Sequence, residues 1–489
     1  MSSDIALGRL LDYYQHTAAL AHSRLARQSQ SPAASTPAPV ASPAVDDAGQ
    51  ALAWARAERG NLLACLDHVT RAGQNMRVIA LTASLAELLL RDGPWTEAVT
   101  RHSIAVQCAQ ELGDLLGQAN ARNNLGNVLR LTGDFPGAAG ELEQALAIYR
   151  EIGDRLGQAN ALLHVGDVRR LTGDFQGAAG DVGQALAIYR DIGDQLGQAD
   201  ALNNLRPALE VAGDLQGATQ VLEQALAIYR DIADRRGQAN ALSNLGAIRR
   251  LTGDLPGAAG DLEQALAIYR DIGSRLGQAN ALSDLGIVRR LTGDYPGAAA
   301  DFGQALAIYR DLGALLGQAN ALSDLGIVWQ LNGDYPNAAR YLRQALAIYR
   351  DIGDRPGQAY ALTSLGAVWR ETGDYPAAAA DLEQALVISR DLGDSGGEVT
   401  ALNETGALRL VSGEPTDAVT CYRQALDVAR AIGSAWDEAH ALAGLGRCAV
   451  NVGHDAEAKP LLRQAYEIFQ RIGAAEATAV LAEHDALTS

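Results

Sequence analysis

One lysine, Lys459, stands among 489 residues, and it follows Ala458. A phosphate-binding loop needs Gly-Lys-Ser/Thr, so that route to nucleotide hydrolysis is closed. Nearly every positive charge is an arginine, a bias that reads as GC-rich coding rather than function. Aromatic residues make up 5% of the chain, so a core must come from close helix approach over Ala and Gly rather than from bulky rings. The four cysteines, Cys65, Cys108, Cys421 and Cys448, lack C-x-x-C spacing and read as buried reduced thiols. No run reaches roughly 18 uninterrupted apolar residues, and no basic start precedes an apolar stretch. The expectation is a cytoplasmic protein without a membrane partner.

Chemistry is equally sparse. Eight histidines are scattered without an H-x-x-x-H pair, and no G-x-S-x-G elbow or glycine cradle follows a strand. No catalytic residue, metal ligand set or cofactor site emerges, and the chain reads as no enzyme. The formal net charge is −18. Residues 1–75 carry six Arg and six Asp/Glu, so the excess lies beyond them. An acidic body argues against nucleic acid as a partner.

What is present is a forty-residue period, unbroken over ten copies from 76 to 475. Gly93 to Gly453, Ala98 to Ala458 and Ala105 to Ala465 are invariant at that spacing. Such a period means a solenoid, and a solenoid is first an interaction surface. Around it the chain divides into a helical segment over 1–28, a Pro/Ala/Ser linker over 29–48, a capping helix over 49–75 and a closing helix over 476–489. Asp46 or Asp47 caps the helix through Trp54, Leu62, Leu63 and Leu66. In the first segment Leu10, Leu11, Tyr14, Ala18 and Leu25 share one face.

The unit Asp154 to Gly193 serves for all. Gly153 suits the left-handed end of one helix and Asp154 caps the next. Helix A is expected over 155–171, and Gly173-Asp174-Phe175 turns the chain. Helix B then buries Ala178, Val182, Ala185, Tyr189 and Ile192 at spacings of three and four. Pro136, Pro256, Pro296, Pro336 and Pro376 open helix B, where the missing N–H costs nothing. Gly166 lets the two helices approach, and Ala178 and Ala185 let the next unit nest.

Leu125-Gly126, Gly133-Asp134-Phe135, Ala138 and Ala145 resemble tetratricopeptide repeats. The period and Asn124-Leu125-Gly126 are closer to the long-repeat branch that includes kinesin light chain. The resemblance implies an all-α, right-handed α-solenoid of about ten helix-turn-helix units, with helix A on the concave wall. A second resemblance joins Leu10-Leu11-Asp12-Tyr13-Tyr14 to Trp54 and Glu58-Arg59-Gly60-Asn61-Leu62. These are similar to the junction between ATPase and repeats in actinobacterial signal-transduction (STAND) ATPases, here without the ATPase half.

Polar columns run along helix A. One reads Asn120, Asn160, Asp200, Asn240, Asn280, Asn320. Four residues on, and so on the same face, comes Asn124, His164, Asn204, Asn244, Asp284, Asp324. Asn donates and accepts, which suits the backbone of an extended peptide. In the long-repeat relatives an asparagine row at the place of Asn124 does this, whereas bonding between neighbouring units is the plainer alternative. A second row, Arg130, Arg170, Arg250, Arg290 and Arg370, is doubled at Arg169, Arg249 and Arg289. It serves either recognition of carboxylates or phosphates or the helix dipole. Glu141, Asp261 and Asp301 are expected on solvated outer positions.

Leu205-Arg206-Pro207 breaks the pattern, and Pro207 is expected to kink or break helix A. Trp329 and Trp369 fill the core or, with Tyr360, anchor a partner. The leading reading is a scaffold that binds a protein or peptide in the concave groove through the Asn and Arg columns. The rivals are the detached sensor arm of a split STAND-type regulator and self-association through exposed repeat ends.

Overall fold

The computed structural model describes residues 2–26, 43, 45–474 and 476–487. The 29–48 linker lies outside them except for residues 43 and 45–48. Among the described residues there are 24 helices and no strand. They fall into two units, Met1–Ala241 and Leu242–Ser489, each a run of helices packed on their chain neighbours.

The unit Met1–Ala241 begins with α1 (Ser2–Leu25), α2 (Ala48–Ala57) and α3 (Arg59–Arg71). Repeat pairs follow: α4 (Asn75–Asp92) with α5 (Trp95–Leu112), and α6 (Leu115–Thr132) with α7 (Phe135–Ile152). Then come α8 (Arg155–Leu171) with α9 (Phe175–Ile192), and α10 (Gln195–Val211) with α11 (Leu215–Asp231). The division between units falls inside α12 (Arg235–Leu251). The unit Leu242–Ser489 continues with α13 (Leu255–Asp271), α14 (Arg275–Leu291), α15 (Tyr295–Leu312), α16 (Leu315–Leu331) and α17 (Tyr335–Asp351). It ends with α18 (Arg355–Thr372), α19 (Tyr375–Leu392), α20 (Ser395–Val411), α21 (Pro415–Ile432), α22 (Ala435–Asn451), α23 (Asp455–Arg471) and α24 (Glu476–Ala486).

Two consecutive residues make most joints. Gly153 ends α7 at φ 72°, and the N–H of Asp154 reaches back to Tyr149 O at 2.9 Å. The Asp154 carboxylate then accepts from Gly157 N at 3.1 Å and caps α8. A left-handed glycine followed by a capping aspartate stops one helix and starts the next with nothing between them.

The paired helices lie close because one column is glycine. A Cβ on Gly126 would sit 2.6 Å from Leu142 Cγ, and one on Gly246 would sit 2.7 Å from Leu262 Cγ. Tyrosines then tie successive units. Tyr149 and Tyr189 are buried, and each ring lies against the glycine eight residues on, Gly157 and Gly197. The backbone oxygen of Tyr149 accepts from Gln158 Nε2 at 3.1 Å.

Several expectations need correction. The expected capping helix over 49–75 is two helices, parted at Glu58, whose carboxylate accepts from Tyr14 Oη at 2.8 Å and Asn61 Nδ2 at 2.7 Å. Of the two aspartates offered as its cap, Asp47 does the work, accepting from Gln50 N at 2.8 Å. Leu11, Tyr14 and Ala18 pack on Leu62, Leu66, Leu81 and Leu85, but Leu10 is exposed. Ile192, the last residue of α9, is also exposed.

Pro207 does not break α10, which runs on to Val211. Its cost is local: the carbonyl of Asn203 loses its N–H partner from residue 207. Arg206 takes the glycine column, its guanidinium Nη1 held by Glu210 at 2.7 Å. Around it Leu205 and Ala208 are only half-buried, whereas Leu125 and Val128 at the matching places of α6 are buried. A large side chain where glycine normally sits has loosened this pair.

At the other end Val480 of α24 is buried against a cluster that includes Phe469 and Leu462, so α24 covers α23.

Candidate functional site

In the unit Met1–Ala241 three adjoining cavities share side chains. The first, about 210 Å³, lies among α4, α5 and α6 and is bordered by Thr82, His102, Asn120 and Asn124. The second, about 270 Å³, shares His102 and Asn124 and adds His22 of α1, Glu87 of α4, His164 of α8, and Arg236 and Asn240 of α12. The third, about 220 Å³, shares Asn127, His164 and Asn240 and adds Arg130, Asp200, Asn203 and Asn204. A polar groove therefore runs along the helix-A side chains of this unit. Two A-helix columns supply it because residues four apart on a helix lie one above the other.

The columns differ in what holds them. Tyr149, Tyr189 and Tyr229 donate their hydroxyls to Asn120, Asn160 and Asp200 at 2.7, 2.7 and 2.6 Å. In the unit Leu242–Ser489, Tyr309 and Tyr349 do the same to Asn280 and Asn320 at 2.7 Å. The deeper column is thus engaged in joining helices even where it meets the groove. Asn120 and Asp200 border the cavities while bonded to a tyrosine, and Asn160 lies buried outside all three. The second column, with Asn124, His164 and Asn204, borders the groove. In the other unit Asn244 is half-buried on α12, and Asp324 lies on α16. Burial pushes the Asp324 carboxyl up to about 6, opposed by Arg290 and reinforced by Asp284.

Most of the arginines are engaged with their own helices or repeats. Arg130 donates to Asn127 Oδ1 at 2.7 Å and Arg170 to Asp167 at 3.3 Å. Arg250 is half-buried in the last turn of α12. The doubled row pairs across the repeat: Arg169 with Asp181, Arg249 with Asp261 and Arg289 with Asp301, each at 2.8 Å. Asp261 and Asp301 are therefore buried rather than solvated, since the glycine-mediated approach of the two helices covers them. Glu141 pairs with Arg122 at 2.5 Å. Trp369 donates to Asp381 at 2.8 Å with the Arg343 guanidinium over its ring, Trp329 is half-buried, and Tyr360 is exposed.

Two groove residues escaped the reading of the columns. His102 of α5 is 1% exposed, and neither ring nitrogen has a partner among the described residues. Burial lowers its pKa to about 4. His22 is lowered for the same reason, and its Nδ1 also lacks a partner among the described residues. The signal for His102 was in register: its column elsewhere reads Leu142, Val182, Leu222, Leu262, Phe302, Leu342, Leu382, Tyr422, Leu462. His164, lowered to about 4 chiefly by burial, has Nδ1 3.1 Å from Asn123 Oδ1.

Among the described residues no three His, Cys, Asp or Glu side chains could hold a metal ion. No described helix is long and apolar enough to cross a membrane.

Residues 78–151, 237–311, 317–391 and 398–471, more than half the chain, match the tetratricopeptide repeat. The chain belongs to the tetratricopeptide repeat family. Solved structures agree on the fold. The tetratricopeptide array resembles the STAND protein with a tetratricopeptide repeat sensor from Pyrococcus horikoshii, at 14% identity and TM-score 0.53. That match covers 71% of this chain and 52% of the archaeal one, so the array spans about half the length of that protein. It also resembles aspartyl phosphate phosphatase F from Bacillus subtilis, at 12% identity and TM-score 0.50, over 71% and 93% of the two chains. No curated protein sequence matches the chain.

Proposed function

We propose that this tetratricopeptide array is a non-enzymatic scaffold that binds an extended peptide or protein segment along its helix-A side chains, in a regulatory setting. The observation that carries this is the continuity of the groove in the unit Met1–Ala241, where each cavity shares His102, Asn124, Asn127, His164 or Asn240 with the next. Side chains that donate and accept at such spacing can satisfy a peptide backbone as it leaves water. Asn124, His164, Asn204 and Asn240 are the proposed contacts here, with Arg130 at the margin. Asn244, Asp284, Asp324, Arg250 and Arg290 are the corresponding positions of the other unit. Asn120, Asn160, Asn280 and Asn320 support them from behind. The test is affinity capture from lysate with the wild type beside Asn124→Ala, Asn204→Ala. A partner held by the wild type and lost by the variant, at unchanged helicity, supports the groove. Capture by both refutes it.

A second reading has its own observation. Among the residues that resemble the STAND junction, Tyr14 and Asn61 both bond to Glu58, and Asp12 pairs with Arg77 of the first repeat at 2.6 Å. The archaeal protein described above carries a tetratricopeptide repeat sensor. On this reading α1 to α3 present the array to a separate ATPase subunit. Tyr14→Ala should then abolish capture of that subunit and leave groove binding intact.

A further inference from the structure

We infer that the three-histidine cavity in the unit Met1–Ala241 is a carboxylate site, built to take one carboxylate group into the groove. The inference rests on the groove reading and deepens it. Three of the chain's eight histidines, His22, His102 and His164, border this one cavity of about 270 Å³. They arrive from α1, α5 and α8, and two of them displace the residue that the forty-residue period would place there. His102 interrupts a column that is otherwise apolar or aromatic. His164 interrupts one made of Asn, Asp, Ser and Glu, with Gly444 in the last copy.

A leucine at 102 would fill the same place without burying two ring nitrogens that lack partners among the described residues. Buried polar atoms of this kind ordinarily find a partner, and the cavity beside them is where one can enter. Thr82 Oγ1 is in the same position at the wall of the adjoining cavity. Among the described residues no three His, Cys, Asp or Glu side chains are grouped so as to hold a metal ion. The one carboxylate of the lining, Glu87, is already paired with Arg91 at 2.5 Å and Arg236 stands on the same wall, which disfavours a cation. An apolar group would leave the His22 and His102 ring nitrogens without partners among the described residues. What remains is an acceptor-rich group, which imidazole N–H, amide N–H and guanidinium donors all suit. A singly charged carboxylate fits an array of net charge −18 better than doubly charged phosphate.

Proton linkage follows from the groups around His102. They are His22 from α1, Glu87 with its partner Arg91 from α4, Asp114 at the start of α6, His164 with Arg130 and Asp167, and Arg236 from α12. Unliganded, burial keeps His102 and His164 neutral at pH 7. A carboxylate entering beside them favours the imidazolium. One proton then passes from solvent to an imidazole nitrogen, and a neutral ion pair is left in the cavity.

The experiment uses the full chain and three probes: an N-acetylated, C-amidated tripeptide with one glutamate, acetate, and inorganic phosphate. Calorimetry in buffers of different ionisation enthalpy counts protons, and histidine side-chain NMR locates them. The expected result is saturable binding of the peptide with uptake of one proton. Affinity should tighten about tenfold per pH unit as pH falls from about 7.5 to about 5.5. His102→Leu, the residue of its column, should fold and lose both binding and proton uptake. His164→Asn, the residue of its column, should weaken both. Peptide bound tighter than acetate assigns the carboxylate to a protein segment, and equal binding assigns it to a small free acid. Either supports the site. Binding without proton uptake, preference for phosphate, or uptake that survives His102→Leu overturns it. A partner lost by the asparagine variant, with no proton-linked carboxylate binding by the wild type, removes this site and leaves the groove.

Discussion

Tyr189 gives its hydroxyl to Asn160 Oδ1 at 2.7 Å while its ring lies against Gly197, so one side chain on α9 touches the helix A before it and the helix A after it. Its backbone oxygen accepts from Gln198 Nε2 at 3.3 Å, which closes the joint from a third direction. A buried phenol satisfied in this way holds the register of neighbouring units, since a slip of one residue would separate both contacts. Removing the hydroxyl should leave a buried amide oxygen short of a donor. Tyr189→Phe is therefore expected to cost about 1–2 kcal/mol in urea unfolding, with a coupling of roughly 1 kcal/mol to Asn160→Ala in a double-mutant cycle. Additive effects would show that the bond contributes nothing.

Ala233 occupies the left-handed position that glycine holds at Gly153, Gly193 and Gly273, with φ 56° against 67–73° for those three. A Cβ in that region is strained, so Ala233→Gly should stabilise the chain by about 1 kcal/mol. An unchanged urea midpoint would mean the backbone has relaxed there.

Gly246 permits the contact between α12 and α13, where an added Cβ would meet Leu262 Cγ at 2.7 Å. Gly246→Val is expected to destabilise by about 1–3 kcal/mol through overpacking. Arg206 shows the natural form of that disturbance, with its neighbours in α10 left half-buried. A melt no lower than that of the wild type would refute the packing role of this column.

Acid should act on the groups in opposite directions. His102 and His164 titrate near 4 in the folded chain against an ordinary 6.5, so the folded state binds fewer protons than the unfolded one. Their contribution is whole above pH 6.5 and lost as pH falls toward 4. Asp324 is raised from 3.8 to about 6, and its contribution is whole below 3.8 and lost as pH rises through 6. Thermal melts should show His102→Leu flattening the loss between pH 6.5 and about 4.5, and Asp324→Asn removing an opposing gain.

Much of the fold was legible because the repeat offers the same evidence ten times. Helix A over 155–171, its aspartate cap and its glycine end all follow from spacing and cap chemistry, and α8 occupies that span. Less of the site was legible. The asparagine columns could be read as columns, but nothing in the spacing shows that Asn120 is held by a tyrosine twenty-nine residues away while Asn124 borders two of the cavities. The pairing of Asp261 with Arg249 was hidden for a related reason: outwardness on one helix says nothing of the helix packed beside it. His102 could have been found by asking which copy of an apolar column carries a polar residue. His22 could not, because it reaches the cavity from α1, outside any periodicity.

The tyrosine joint bears on how such a chain grows. Tyr149 finds its asparagine twenty-nine residues before it and its glycine eight after it, both within one period of its own position. Any in-register gain or loss of forty residues among the near-identical copies therefore hands each surviving tyrosine an equivalent pair of partners. Unequal crossing-over can lengthen or shorten the array without exposing a broken joint. The cavity around His22, His102 and His164 has no such tolerance, because its three histidines occur once each. The joints therefore tolerate a change in the number of units, and the three-histidine cavity does not.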